Sequence, residues 1–195
     1  MPFLKNLPES IKHIKDNEFC KSGCTSLNLY AYDEARFGLL SIQRRCLTAK
    51  GVKPITPYQH KFKNFYLYGG YSPINGDQYT LEFPYCNSSC FEQYLEALSE
   101  HNPTEFKILL LDNGAFHKVK SLVVPQNIFL LFIPPYSPEL NPAERIWRHI
   151  KDQLANIVFE NLEKLSDKVC DLITSLSTDI VQSITGWELY KNSTN

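Results

Sequence analysis

No stretch of the 195 residues is apolar enough to cross a bilayer; the longest apolar run, inside NIFLLFIPPY (127–136), is far too short. The opening MPFLKNLPES lacks the apolar core of a signal peptide. A cytoplasmic protein with no membrane partner is therefore expected. Charge of one sign is also missing overall: the net charge is −1, which excludes a protein that coats nucleic acid by bulk electrostatics. Locally the balance differs. From Ala35 to Gly76 there is no Asp or Glu, while Arg36, Arg44, Arg45, Lys50, Lys53, Lys61 and Lys63 all fall there, with His60 among them. A solvated face and a phosphate-contacting face both fit such a run. The six cysteines include two C-x3-C pairs, Cys20/Cys24 and Cys86/Cys90, but no His-x3-His run accompanies them and zinc spacings are usually tighter. Reduced, mostly buried thiols are expected instead of a zinc site. Internal repeats and low-complexity tracts are absent too, so one globular domain is the simplest organisation.

What is present is an ordinary globular composition, 43% hydrophobic and 21% charged. LNLYAYDE (27–34) alternates and reads as a strand that ends in carboxylates. FGLLSI (37–42), NFYLYG (64–69) and YTLEF (79–83) read as further short strands between Gly, Pro and Asn turn signals. SSCFEQYLEALSEH (88–101) places Phe91, Tyr94, Leu95 and Leu98 at helical spacing. FKILLLDNG (106–114) is a doubly buried strand that stops at Asp112, and NIFLLFI (127–133) is the next strand. AFHKVKSLVV between them has a helix-like distribution, so a strand-helix-strand crossover and a parallel pair are expected. A helix from Pro142 to about Val158 should carry Ile146, Trp147, Ile150, Leu154 and Ile157 on one face, and a last helix should run from about Leu162 to Ile184. The order is that of a ribonuclease H-like α/β fold, a mixed five-stranded sheet flanked by helices. The divisions expected are an N-terminal extension (1–26), the catalytic fold (27–160) and a C-terminal helix packed on it (161–195).

The stretch PPYSPELNPAERIW (134–147) puts Glu144 in the first turn of a helix, behind Asn141 and Pro142. That is a capping-box arrangement, with Glu144 reaching back to the Asn141 N–H, and it accounts for the glutamate without any chemistry. Asp33 and Asp112 supply a second account. Each stands where an apolar strand ends, and three converging carboxylates suit two Mg2+ or Mn2+ ions for phosphodiester chemistry. Glu34 competes with Asp33, but neighbouring strand residues face opposite sides, and Asp33 is preferred.

DEARFGL (33–39), LLLDNGAFHK (109–118) and PPYSPELNPAERIW (134–147) together resemble the catalytic domain of the mariner-like insertion-sequence transposases of the DDE endonuclease superfamily. RRCLTAKGVKP (44–54) and YLYGGYSPINGD (66–77) resemble the family's links between early strands, so the likeness spans about residues 28–155. It implies that Asp33, Asp112 and Glu144 bind two Mg2+ (or Mn2+). It implies cleavage at transposon ends, then attack of the freed 3′-hydroxyl on target DNA. The spacing between Asp112 and Glu144, 31 residues, is slightly shorter than in the mariner type. In the family's DN-x-x-x-H pattern, His117 would meet the scissile phosphate or a metal-bound water, or lie on the surface at a helix start. Asn113 would support Asp112 or make the turn. Arg145 and Arg148, with Arg36, Arg44, Arg45, Lys50 and Lys53, are candidate contacts to the DNA backbone. A homodimer is expected in the active complex. About 26 residues precede the first strand, too few for the family's helix-turn-helix modules, which points to a separate DNA-binding chain or to loss of that function. The alternatives are a silent transposase remnant that still binds DNA or partners, and a ribonuclease H-like nuclease without strand transfer.

Overall fold

The computed structural model describes residues 2–45, 47–119 and 121–186. Five strands form one sheet in the order β3-β2-β1-β4-β5. They are β1 (Ser26–Gly38), β2 (Asn64–Tyr71), β3 (Gln78–Phe83), β4 (Glu105–Leu111) and β5 (Ile128–Phe132). β1, β2 and β3 pair antiparallel, whereas β1, β4 and β5 run parallel. β4 is buried along its whole length, as its run of apolar residues requires of a central parallel strand. Among the described residues no helix is long and apolar enough to cross a membrane.

Alternation along β1 sends its residues to two different cores. Leu29, Ala31, Ala35 and Phe37 face one side, while Tyr30 and Tyr32 face the other. The first side is covered by α1 (Pro2–Ile14), through Leu7, Ile11 and Ile14, and by α4 (Ala143–Gln153), α5 (Leu162–Thr174) and α6 (Thr178–Thr185). The second is covered by α3 (Ser88–Glu100), whose Phe91, Tyr94, Leu95 and Leu98 are fully buried. A π-helical turn and the short α2 (Cys20–Ser22) join α1 to β1. Asn87 caps α3 by accepting the Cys90 N–H at 2.9 Å, and Cys90 itself is buried in the core.

Several expectations need correction. FGLLSI is not a strand of its own: β1 continues through Gly38, and the described residues of the 39–63 arm are irregular, tied at the base by Leu39 N–H to the Lys63 carbonyl. A 13-residue β1 is possible because β2 pairs with it as far as Gly38, well past the point where β4 stops. Asp33 is therefore inside a strand and not at its end. The β4–β5 crossover is parallel but, among the described residues, carries only a 3-10 turn, Ala115–Lys118, between its strands. α4 ends at Gln153, because Asn156 turns left-handed (φ 61°) and its N–H bonds back to Ile42; Ile157 lies beyond the helix and is exposed. The last helix is two helices, since the Ser177 side chain caps a fresh start by accepting the Ile180 N–H. The expected C-terminal segment beyond residue 186 lies outside the described residues.

Candidate active site

Ala31 lies beside Leu110 in the parallel pairing of β1 with β4, and the same offset carried two residues further puts Asp33 beside Asp112. β4 ends at Leu111, so the site opens where one strand stops and its neighbour continues. Ligands in open α/β sheets gather at such carboxyl ends of parallel strands. Asp112 is half exposed and lines a groove with Asn113, Gly114, Ile133 and the prolines of the β5–α4 link. Glu144 lines an adjoining groove with Asn141, Arg145 and Arg148, and Pro138 borders both.

Glu144 is aimed by two separate devices. Asn141 is buried, donates from Nδ2 to the Tyr32 carbonyl at 2.8 Å and accepts the Ala143 N–H at 3.1 Å. One side chain thus ties the start of α4 to the residue before Asp33. The second device is Trp147, which packs edge-on to Tyr71 (5.4 Å) and Phe37 (6.2 Å) and presses on Gly69, the β2 partner of Asp33. A Cβ on Gly69 would sit 2.7 Å from the Trp147 ring, so only glycine permits this approach. The reciprocal capping box does not form: the Asn141 N–H bonds to the Pro138 carbonyl, and Glu144 does not serve as its acceptor.

Burial pushes the Asp33 carboxyl well above the usual carboxylate range, and the nearby negative charges of Glu144, Glu34 and Asp112 add to the rise. Asp33 therefore senses carboxylates from β4 and α4 at once. Among the described residues, no three His, Cys, Asp or Glu side chains are gathered tightly enough to clasp an ion as they stand. Like charges drawn together without a cation repel, and oxygen donors of this kind fit Mg2+ or Mn2+. Asp33, Asp112 and Glu144 are the residues that could hold such an ion.

His117 is 2% exposed, so it is no surface histidine. Its Nε2 lies 2.8 Å from Glu34 Oε1, and its Nδ1 lies 3.0 Å from Asp112 Oδ1, the second contact at an angle too poor for a hydrogen bond. Glu34 is turned to the α3 side, opposite Asp33. Sequence reasoning treated it only as a rival ligand and missed its histidine; the adjoining Asp-Glu pair was the one available signal. Asn113 ties the β4 end to the Ile133 carbonyl and accepts from Lys118.

The candidate DNA contacts spread over two places. Arg145 and Arg148 are exposed beside Glu144. Arg36 is exposed on β1, and Arg45, Lys50 and Lys53 are exposed on the 39–63 arm. Arg44 is on the same arm but pairs with Asp152 at 2.8 Å. Leu47, Ile55, Tyr58 and Phe62 are also exposed on the arm.

The sequence model of the DDE superfamily endonucleases matches residues 28–166, which include all three carboxylates. The chain belongs to that superfamily. A relative described as uncharacterized protein y4pE/y4sA of Sinorhizobium fredii (strain NBRC 101917 / NGR234) is 33% identical over 107 residues, covering 54% of this chain and 79% of its own. Among solved structures, the Mos1 mariner paired end complex with Mn superposes with a TM-score of 0.67 at 17% identity, over 98% of this chain and 60% of the Mos1 chain. The Mos1 strand transfer complex gives 0.63 at 15% identity with the same coverage. This DDE chain spans about three-fifths of the length of the Mos1 chains it matches. At such identity the likeness shows the fold, which is ribonuclease H-like.

Proposed function

We propose that this chain is the catalytic domain of a DNA transposase that cleaves at transposon ends and joins the freed 3′-hydroxyl to target DNA. The observation that carries the reading is geometric: the β1–β4 register sets Asp33 beside Asp112, and Asn141 ties the start of α4, where Glu144 stands, to the Tyr32 carbonyl. Two bound Mg2+ or Mn2+ ions would supply activation of the attacking oxygen and stabilisation of the leaving oxygen. Asp33 contributes a half-buried carboxylate from β1, Asp112 an exposed one at the groove, and Glu144 one set by the start of α4. Arg145 and Arg148 beside Glu144 are placed to meet phosphates of a strand laid along the two grooves.

Mos1, with the same fold, was captured in a paired-end complex with a left transposon end and in complexes with Mg and with Mn. These precedents support DNA and divalent metal as this chain's partners. The exposed apolar residues of the basic arm support a second copy of the chain as a further partner in the active complex. A separate helix-turn-helix chain would supply recognition of the ends. The five described cysteines are all free, in keeping with action in the cytoplasm.

The test is cleavage of a supercoiled plasmid carrying the DNA that flanks this gene, with and without Mg2+. End-mapped cuts with free 3′-hydroxyls, followed by joining, are expected. Cleavage of RNA in hybrids instead would favour a ribonuclease H-type hydrolase. The open spacing of the carboxylates favours one other reading, a remnant that keeps the fold without the chemistry. Failure to bind Mn2+ even with DNA present would select it.

A further inference from the structure

Glu34 is a buried carboxylate that the proposed chemistry does not use. Its side chain is 9% exposed, lies against α3 and accepts the Tyr32 hydroxyl. Burying a carboxylate without a cation partner is costly, so the position needs a reason. Its other partner is His117, whose ring is held between Phe116 (4.2 Å), Phe91 (4.6 Å) and the edge of Tyr32 (5.9 Å). The aromatic neighbours hold the plane of the ring, and Glu34 fixes which nitrogen faces which way. The opposite nitrogen, Nδ1, is buried without a hydrogen-bond partner and stands 3.0 Å from Asp112 Oδ1. That same oxygen accepts the Gly114 N–H at 2.9 Å. A Cβ on Gly114 would crowd His117 Nδ1 (2.9 Å) and Asp112 Oδ1 (3.1 Å), so the turn closes tightly around the pair.

We propose that Glu34 is a positioning residue that sets the Asp112 carboxylate through His117, an inference that rests on the reading of Asp112 as a metal ligand. Asp112 is more than half exposed, and an unbraced carboxylate there would sample several rotamers. The chain Glu34–His117–Asp112 narrows that choice. Nδ1 stands against the same Oδ1 that accepts the Gly114 N–H, so the ring and the turn together limit where that oxygen can sit. Outer partners that orient a ligand in this way typically affect metal affinity by about 10–100-fold.

The experiment compares the full chain with Glu34→Ala, Glu34→Gln, His117→Ala, the Glu34→Ala/His117→Ala double variant and Asp112→Asn. Two quantities are read: Mn2+ affinity by calorimetry, and the Asp112 χ1 distribution by NMR three-bond couplings without metal. Glu34→Ala and His117→Ala should each weaken Mn2+ binding by about 10–100-fold, and the double variant should be no weaker than the worse single one. Glu34→Gln keeps the acceptor oxygen and should stay within about threefold of wild type. Asp112 should hold one χ1 rotamer in the wild type and average in both alanine variants. If Glu34→Ala fails to fold, His117→Ala and Glu34→Gln carry the comparison.

A single Asp112 rotamer retained in His117→Ala, or losses that simply add in the double variant, would overturn the proposal. Loss of Mn2+ in Asp112→Asn beside wild-type affinity in Glu34→Ala would also overturn it, while leaving the catalytic reading standing. A wild type that binds no Mn2+ with or without DNA would overturn the catalytic reading, and the χ1 distributions alone would then decide the positioning role.

Discussion

The two ends of the sheet both gather charged side chains and use them in opposite ways. At the amino end of β4, Lys107 is completely buried and donates to the Asn102 and Glu105 carbonyls at 2.9 and 3.2 Å. The Tyr30 hydroxyl sits 2.7 Å from Asp77 and 2.8 Å from Glu105, and His101 and Asn102 also reach Asp77. Negative charge there is met by a cation and by donors. At the carboxyl end, burial pushes the Asp33 carboxyl upward, and the negative charges of Glu144, Glu34 and Asp112 add to the rise. Satisfied polar clusters hold a fold in place, while a partly buried carboxylate with further carboxylates nearby marks a candidate functional site.

The comparison breaks most completely at Asp112. Asp112→Asn should lower metal-dependent cleavage by on the order of 10^3-fold with the circular dichroism spectrum unchanged, since it removes an exposed ligand and no core contact. Cleavage near the wild-type rate would detach Asp112 from the chemistry. At the opposite end, Lys107→Met should cost about 3 kcal/mol in denaturant unfolding, because it leaves two carbonyls and Glu105 without their cation. Cleavage by the folded fraction should persist.

Asp33→Asn sharpens the contrast by moving stability the other way. The folded-state carboxyl titrates above its unfolded value, so the folded wild type holds its proton more tightly and loses stability as pH rises from about 4 through the raised folded value. Asn escapes that loss. The variant should be about 1–3 kcal/mol more stable than wild type at neutral pH, with the gap closing near pH 4, and should be inactive. Equal stability at pH 7 would show that neither burial nor the neighbouring carboxylates strain the charged form of Asp33. The smallest effect is expected at Arg148: Arg148→Ala should weaken DNA binding slightly and reduce the dependence of log K on log salt by about 1.

The parts of the fold legible in the sequence were those governed by local pattern. The buried run of β4 and the apolar face of α4 followed from periodicity, whereas the helix expected between β4 and β5 is a 3-10 turn. β1 was misread at 37–42 because its length is set by pairing with β2, a nonlocal fact. The break between α5 and α6 was marked by Ser177, yet an apolar stripe continuing past it concealed the stop. In the site, Asp33, Asp112 and Glu144 were selected by their places along the chain and by resemblance. What aims Glu144 was hidden, because Asn141 looks like a plain cap until its amide is found on the Tyr32 carbonyl 109 residues away. Glu34 and His117 are 83 residues apart, and nothing in either local sequence announces the pair.

The central claim is that Asp33, Asp112 and Glu144 act as one metal site. Calorimetric titration of Mn2+ into the wild type, Asp33→Asn, Asp112→Asn and Glu144→Gln, with DNA present and folding checked by circular dichroism, tests it most directly. The account predicts binding to the wild type and its loss in each of the three folded variants. Binding retained in any one of them, or no binding to the wild type, would contradict it.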